Sequence, residues 1–200
     1  MQEKWSVGID EAGRGPLAGP VAVGVVKVPV DFDWATIPGV GDSKKVTAKK
    51  RGVIFSRAHE LKEEGKLDFS VVMMDAQYID ELGISGAIIE AIAQAAQNLA
   101  LNPRDSFIKL DGSLKAPKEF RQETIIKGDQ KELVIGLASI LAKETRDTYM
   151  NELAEQYPGY ELEIHKGYGT KSHRRLIFER GLSDVHRRSY CQNRHLWGKV

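Results

Sequence analysis

The chain has 200 residues, 28% of them charged and 42% hydrophobic, with a formal net charge of +1. That length supports one domain with a substantial core, and the balance excludes both a disordered chain and a protein whose overall field gathers polyanions. A single cysteine, Cys191, excludes internal disulfides and points to a reducing compartment. No basic-then-apolar leader opens the sequence and no apolar run approaches a membrane span, so a cytoplasmic protein with no membrane partner is expected.

In chain order, residues 5–10 and 20–28 read as strands separated by a loop long enough for an antiparallel return. Residues 29–41 are irregular, with Pro29, Pro38 and two glycines. A helix is predicted over 47–65, capped by Thr47 and ended by Gly65. A strand follows at 67–74. The strongest helical periodicity runs over 85–101, through Ile88, Ile89, Ile92, Ala95, Ala96 and Leu99, until Asn102-Pro103 stops it. Strands at 106–110 and 123–127, a long helix at 131–156 and a short one at 171–180 complete the reading. This mixture suits a layered α/β sheet with helices on both faces.

The tail is distinct. From Ile164 to Val200 there are nine Lys/Arg against two acids, Glu179 and Asp184, a bias that fits a polyanionic partner or an ordinary solvated surface.

Three strands end in acid: Asp10-Glu11, Asp111 and Asp129. If those strands lie side by side in one direction, their carboxyl ends converge in a crevice. Gathered carboxylates repel one another unless a cation sits among them, and hard oxygen ligands suit magnesium or manganese. Two such ions about 4 Å apart are a standard arrangement for in-line phosphodiester cleavage. Adjacent strand residues face opposite ways, so the first strand must end or twist at Asp10-Glu11. Taken singly, Asp111-Gly112 reads equally as a turn, and Asp129 with Glu132 as a capping box opening the long helix. Gly13-Arg14-Gly15-Pro16 offers unhindered backbone N–H groups to a phosphate or sugar. Lys44, before a helix N-terminus, is either a phosphate ligand or a solvated loop residue. Tyr168, between Gly167 and Gly169, either stacks on a nucleotide or packs internally. The histidines lack metal-like spacing, and Cys191 lacks the context of a nucleophile.

The stretch Gly8-Ile9-Asp10-Glu11-Ala12-Gly13-Arg14-Gly15-Pro16-Leu17-Ala18-Gly19-Pro20-Val21 closely resembles the signature of bacterial ribonuclease HII, a type 2 ribonuclease H. Further matching motifs follow in the family's order: Asp42-Ser43-Lys44-Lys45, Leu110-Asp111-Gly112, Lys127-Gly128-Asp129, Ala138-Ser139-Ile140-Leu141-Ala142-Lys143 with Arg146-Asp147, His165-Lys166-Gly167-Tyr168-Gly169-Thr170, and His186-Arg187-Arg188-Ser189. The resemblance implies a ribonuclease H-like fold: a five-stranded mixed sheet flanked by helices, with a small C-terminal helical extension. It implies a single domain, with a catalytic core at 1–157 and a basic extension at 158–200 that contributes to substrate binding. Asp10, Glu11, Asp111 and Asp129 would be catalytic carboxylates holding two Mg2+ or Mn2+ ions. Gly13, Arg14 and Gly15 would read the 2′-hydroxyl, Tyr168 would pack on the next sugar, and Lys44 would touch a phosphate. The implied partners are RNA–DNA hybrids and duplex DNA carrying single ribonucleotides, cut 5′ of the ribonucleotide by what is expected to be a monomer. Two departures stand out: Ile135-Gly136-Leu137 where serine and alanine are usual, and Tyr190-Cys191-Gln192 where Phe-Ala-Pro is common.

Overall fold

The computed structural model describes residues 3–41 and 46–199. The strands are β1 (Trp5–Ala12), β2 (Val21–Pro29), β3 (Asp68–Met74), β4 (Ser106–Asp111) and β5 (Arg121–Ile125). They form one sheet in the order β3-β2-β1-β4-β5. β1–β2 and β2–β3 pair antiparallel, and β1–β4 and β4–β5 pair parallel. The sheet is therefore mixed, as expected, and β1, β4 and β5, the three strands read as running into acids, are neighbours pointing the same way.

Helices cover both faces. α2 (Ala76–Asn98) packs Ala87, Ile88, Ala91, Ile92 and Ala95 on Val7, Ile9, Val23 and Val25. The opposite face takes α1 (Ala48–Glu63) and α4 (Leu133–Gln156), whose Ile135, Leu137, Ala138 and Leu141 meet Val26, Val28, Ile54 and Leu61. Two glycines set how close α4 comes. A Cβ on Gly8 would lie 2.3 Å from the Val134 carbonyl carbon, and one on Gly24 would lie 2.4 Å from the Ala138 oxygen. Gly24 is also the register partner of Asp10.

The remaining helices are α3 (Gly128–Lys131), α5 (Leu162–His165) and α6 (Lys171–Arg180), with short 3-10 segments at Trp34–Thr36, Arg188–Tyr190 and Arg194–Lys199. The C-terminal segment is thus helical, and it is laced to the loop after β1. Leu17 N–H donates to Gly167 O, Gly19 N–H to Val185 O, and Arg187 N–H to Leu17 O, each at 2.8 Å.

Three local expectations change. α2 starts at Ala76, because the Asp75 side chain accepts from Tyr78 N–H at 2.9 Å and caps it there; Gly83, at φ 70 and ψ 160, kinks it just before the strongly periodic stretch. β5 occupies 121–125, and Lys127 in the left-handed region (φ 56) turns the chain into α3. Asp129 does not cap the long helix. It lies in the first turn of α3, while Glu132 precedes α4 in extended conformation with its carboxylate on Lys109 Nζ at 2.6 Å.

Candidate active site

At the carboxyl ends of the parallel strands lies a cleft of 430 Å³. Its walls include Asp10, Glu11, Asp111 and Asp129, together with Gly13, Arg14, Gly15 and Tyr168. Every predicted site residue is there except Lys44, which lies outside the described residues.

The two adjacent acids reach one cleft by a route the sequence did not show. β1 neither ends nor breaks at Asp10; it runs on to Ala12, paired with β2 throughout. Its pairing with β4 stops at Ile9–Leu110. Beyond that point the β4 side of β1 is an open notch, so carboxylates leaving opposite faces both border it. Asp10 is on the α4 side, hydrogen-bonded to Ser139, and accepts from Glu11 N–H at 2.8 Å. Glu11 forms an ion pair with Arg14 at 3.3 Å. Asp111 accepts from Gly128 N–H at 2.6 Å, which ties the end of β4 to the turn carrying Asp129.

Burial and crowding shape the charges. Asp10 is only 6% exposed. Removal from water, with the charges of Glu11 and Asp111 adding to it, pushes its carboxyl up to about 8 against the opposing Ser139 hydrogen bond. Glu11 is raised by burial too, an effect that Arg14 opposes. Both acids are held closer to neutral than in water, as expected for buried carboxylates crowded together.

The glycine-rich loop is shaped from behind. Gly13 has φ 88, and a Cβ on it would lie 2.0 Å from Arg146 Nε. At Gly15 a Cβ would meet nothing within 4 Å, so that side of the loop is open to a ligand. Tyr168 is 44% exposed; its ring centroid is 5.9 Å from the Arg146 guanidinium. A Cβ on the preceding Gly167 would lie 2.2 Å from Ala18 O, so the tyrosine turn is clamped directly to the loop after β1.

Several residues here were missed. Ser139 and Lys143 of α4 and Arg51 of α1 line the cleft; the first two stand in a quoted motif, while nothing in the pattern marked Arg51. Three scattered histidines converge behind Tyr168. His165 stacks on His173 at 4.1 Å, and the Nε2 atoms of His173 and His186 are 3.2 Å apart. His173 Nδ1 donates to Tyr168 O at 3.0 Å, while His186 Nδ1 accepts from Ser183 N–H at 3.0 Å. Those roles fit neutral rings, and burial lowers all three, His173 to about 3 and His186 to about 4. Gly136, one of the two sequence departures, does approach a site segment: a Cβ there would lie 3.0 Å from Asp129 O. Cys191 is a buried free thiol pushed up to about 11, unsuited to nucleophilic chemistry.

A mixed β3-β2-β1-β4-β5 sheet whose parallel strand ends bring acids into one cleft defines the ribonuclease H-like class. Comparison with known proteins makes this specific. The family model for ribonuclease HII matches residues 7–193. The ribonuclease HII of Endomicrobium trichonymphae is 45% identical over 184 residues, which cover 92% of this chain and 83% of that protein. Among solved structures, ribonuclease H2 from Pyrococcus horikoshii OT3 superposes with a TM-score of 0.73 at 23% identity, covering 98% of this chain and 100% of that one. Bst ribonuclease HIII, solved in complex with Mn2+, gives a TM-score of 0.66 at 19% identity, covering 90% of this chain and 64% of that one. The chain belongs to the ribonuclease HII family and is a nuclease of the ribonuclease H type acting on RNA–DNA substrates. No helix among the described residues is long and apolar enough to cross a membrane.

Proposed function

We propose that this chain is a divalent-metal endoribonuclease that cuts 5′ of a ribonucleotide, in RNA–DNA hybrids and where one ribonucleotide is embedded in duplex DNA. The products carry 3′-hydroxyl and 5′-phosphate ends. The observation that carries this is the shared lining of one cleft: Asp10, Glu11, Asp111 and Asp129 together with Gly13-Arg14-Gly15 and Tyr168.

Asp10, Glu11, Asp111 and Asp129 are the residues that would hold the metal. Their donor chemistry fits Mg2+ or Mn2+: all are carboxylates, and Asp10 is buried beside two other acids. Among the described residues no three His, Cys, Asp or Glu side chains stand together as ready metal ligands, so binding asks the carboxylates to turn within the cleft. The Mn2+ in the Bst ribonuclease HIII complex supports the same cation class. Held there, a pair of such ions would supply activation of a water and stabilisation of the departing 3′-oxygen.

The chain's own groups supply substrate choice. Arg14 and Gly15 present backbone N–H groups to the 2′-hydroxyl, the one atom that separates RNA from DNA at a single position. Tyr168 packs on the next sugar, and Arg51, Lys143 and Lys44 receive phosphates. Residues 1–157 form the catalytic core, and the basic segment 158–200 extends the grip on the duplex. The protein acts in the cytoplasm as a monomer. The test is incubation with labelled duplex DNA bearing one ribonucleotide, in Mg2+ or Mn2+ and then with chelator. Cleavage that chelator abolishes is expected; uncut substrate under every metal condition would refute the reading.

A further inference from the structure

Arg146 and Arg187 are 1% and 0% exposed, and among the described residues neither has a carboxylate ion-pair partner. Burying a cation without a counter-ion is costly. Here backbone carbonyls take the place of the acid. Arg187 donates from Nη2 to Gly13 O at 2.7 Å, from Nη1 to Arg14 O at 3.0 Å, and from Nε to Gly19 O at 3.0 Å. Arg146 donates to Pro20 O at 2.8 Å and Lys166 O at 3.0 Å, joining the loop after β1 to the turn bearing Tyr168. Tyr190, which stands where the family commonly has phenylalanine, adds a hydroxyl donating to Arg14 O at 3.2 Å.

The consequence follows from peptide geometry. The chain has no cis peptide bonds among the described residues, so each N–H points away from the carbonyl of the preceding residue. With the Gly13 and Arg14 carbonyls drawn inward to Arg187, the N–H groups of Arg14 and Gly15 turn outward. Among the described residues neither has a recorded acceptor, and both residues line the cleft.

We propose that Arg187 and Tyr190 are positioning residues that set ribonucleotide selectivity by holding two outward N–H groups at Arg14 and Gly15. The proposal rests on reading this loop as the ribonucleotide sensor. The tail, on this account, shapes the sensor from within the fold as well as adding basic surface, and Tyr190 is this chain's own reinforcement of it.

The test compares wild type with Tyr190→Phe and Arg187→Lys on duplexes carrying one ribonucleotide, following kcat, KM and melting temperature. Tyr190→Phe removes one hydroxyl and is expected to raise KM about two- to tenfold with little change in kcat. Arg187→Lys keeps the charge but loses the planar fork, and a rise in KM of about tenfold or more is expected, because a compact ammonium cannot span the three carbonyls that Nε, Nη1 and Nη2 reach separately. A merely structural role would lower melting temperature without this split. Amide exchange by NMR on the wild-type protein is independent of either variant's folding. The Arg14 and Gly15 amides should exchange freely in the unbound protein and become protected when ribonucleotide-bearing duplex is added in chelator. Protection of both amides in the free protein, or wild-type KM in both folded variants, overturns the proposal. Failure of the wild-type protein to cut any ribonucleotide-bearing duplex overturns the sensor reading itself, and this proposal with it.

Discussion

Asp10 shows how a residue we propose to be catalytic works against its own fold. At 6% exposure, with Ser139 on one side and Glu11 and Asp111 nearby, its charge is poorly solvated and poorly paired. Asp10→Asn keeps the shape and removes the charge. Cleavage should become undetectable, while the melting temperature should rise by about 2–4 °C for each kcal/mol of repulsion relieved. Retained turnover would contradict the metal-ligand assignment, and a lowered melting temperature would contradict the crowding argument. We propose that Tyr168 belongs to substrate grip. Removing its ring in Tyr168→Ala should weaken duplex binding by about 1–3 kcal/mol, seen as a higher KM with kcat little altered; unchanged KM would exclude the stacking role.

At the scale of elements, two glycines of different kinds invite contrasting substitutions. Gly24→Ala drives a Cβ into the Ala138 carbonyl at 2.4 Å, backbone against backbone. That should cost about 1–3 kcal/mol or more and displace Asp10, its register partner. Gly136→Ala gains about 1 kcal/mol of helix propensity, but its methyl would press on Asp129 O at 3.0 Å. Stability should hold while cleavage falls several-fold; a thermal melt beside kcat distinguishes the two glycines. Much of this level could be read in advance. The order of the strands, the acids at their ends and the Gly13–Gly15 loop followed from apolar runs punctuated by Asp and Gly, whereas the parallel packing of β1, β4 and β5 was only a condition that the structure meets. What escaped depended on partners distant in sequence. The notch that lets Asp10 and Glu11 share a cleft exists because β4 stops pairing with β1 at Leu110. Asp75 capped α2 ahead of a stretch with weak periodicity. His165, His173 and His186 looked unrelated until the tail folded them together. Lys44 falls outside the described residues, so its role stands on the motif alone.

The whole molecule couples an acidic body to a basic tail whose buried groups support the cleft. Titration should expose that coupling. In unfolded chain a histidine has a pKa near 6.5, whereas His173 and His186 are lowered in the fold to about 3 and about 4. Below pH 6.5 the unfolded chain therefore binds protons that the folded chain refuses. Stability falls as pH drops through this window, by up to about 1.4 kcal/mol per pH unit for each ring. Asp10 acts oppositely: its pKa is raised to about 8 in the fold, so its unfavourable contribution shrinks as pH falls. Glu11, also raised by burial, acts the same way as Asp10, so the clean measurement is urea unfolding of the Asp10→Asn, Glu11→Gln double variant between pH 7 and pH 5. Its midpoint should drop steadily; a flat midpoint would contradict the buried neutral histidine cluster.

The central claim is that one cleft joins carboxylate-held metal to a loop that recognises a single 2′-hydroxyl. The most direct measurement is end-mapped cleavage of two duplexes with identical sequence, one all DNA and one with a single ribonucleotide, in Mg2+ or Mn2+. The account predicts one cut, 5′ of the ribonucleotide, leaving 3′-hydroxyl and 5′-phosphate ends, and no cut in the all-DNA duplex. Equal cutting of both duplexes, or cutting at positions unrelated to the ribonucleotide, would contradict it.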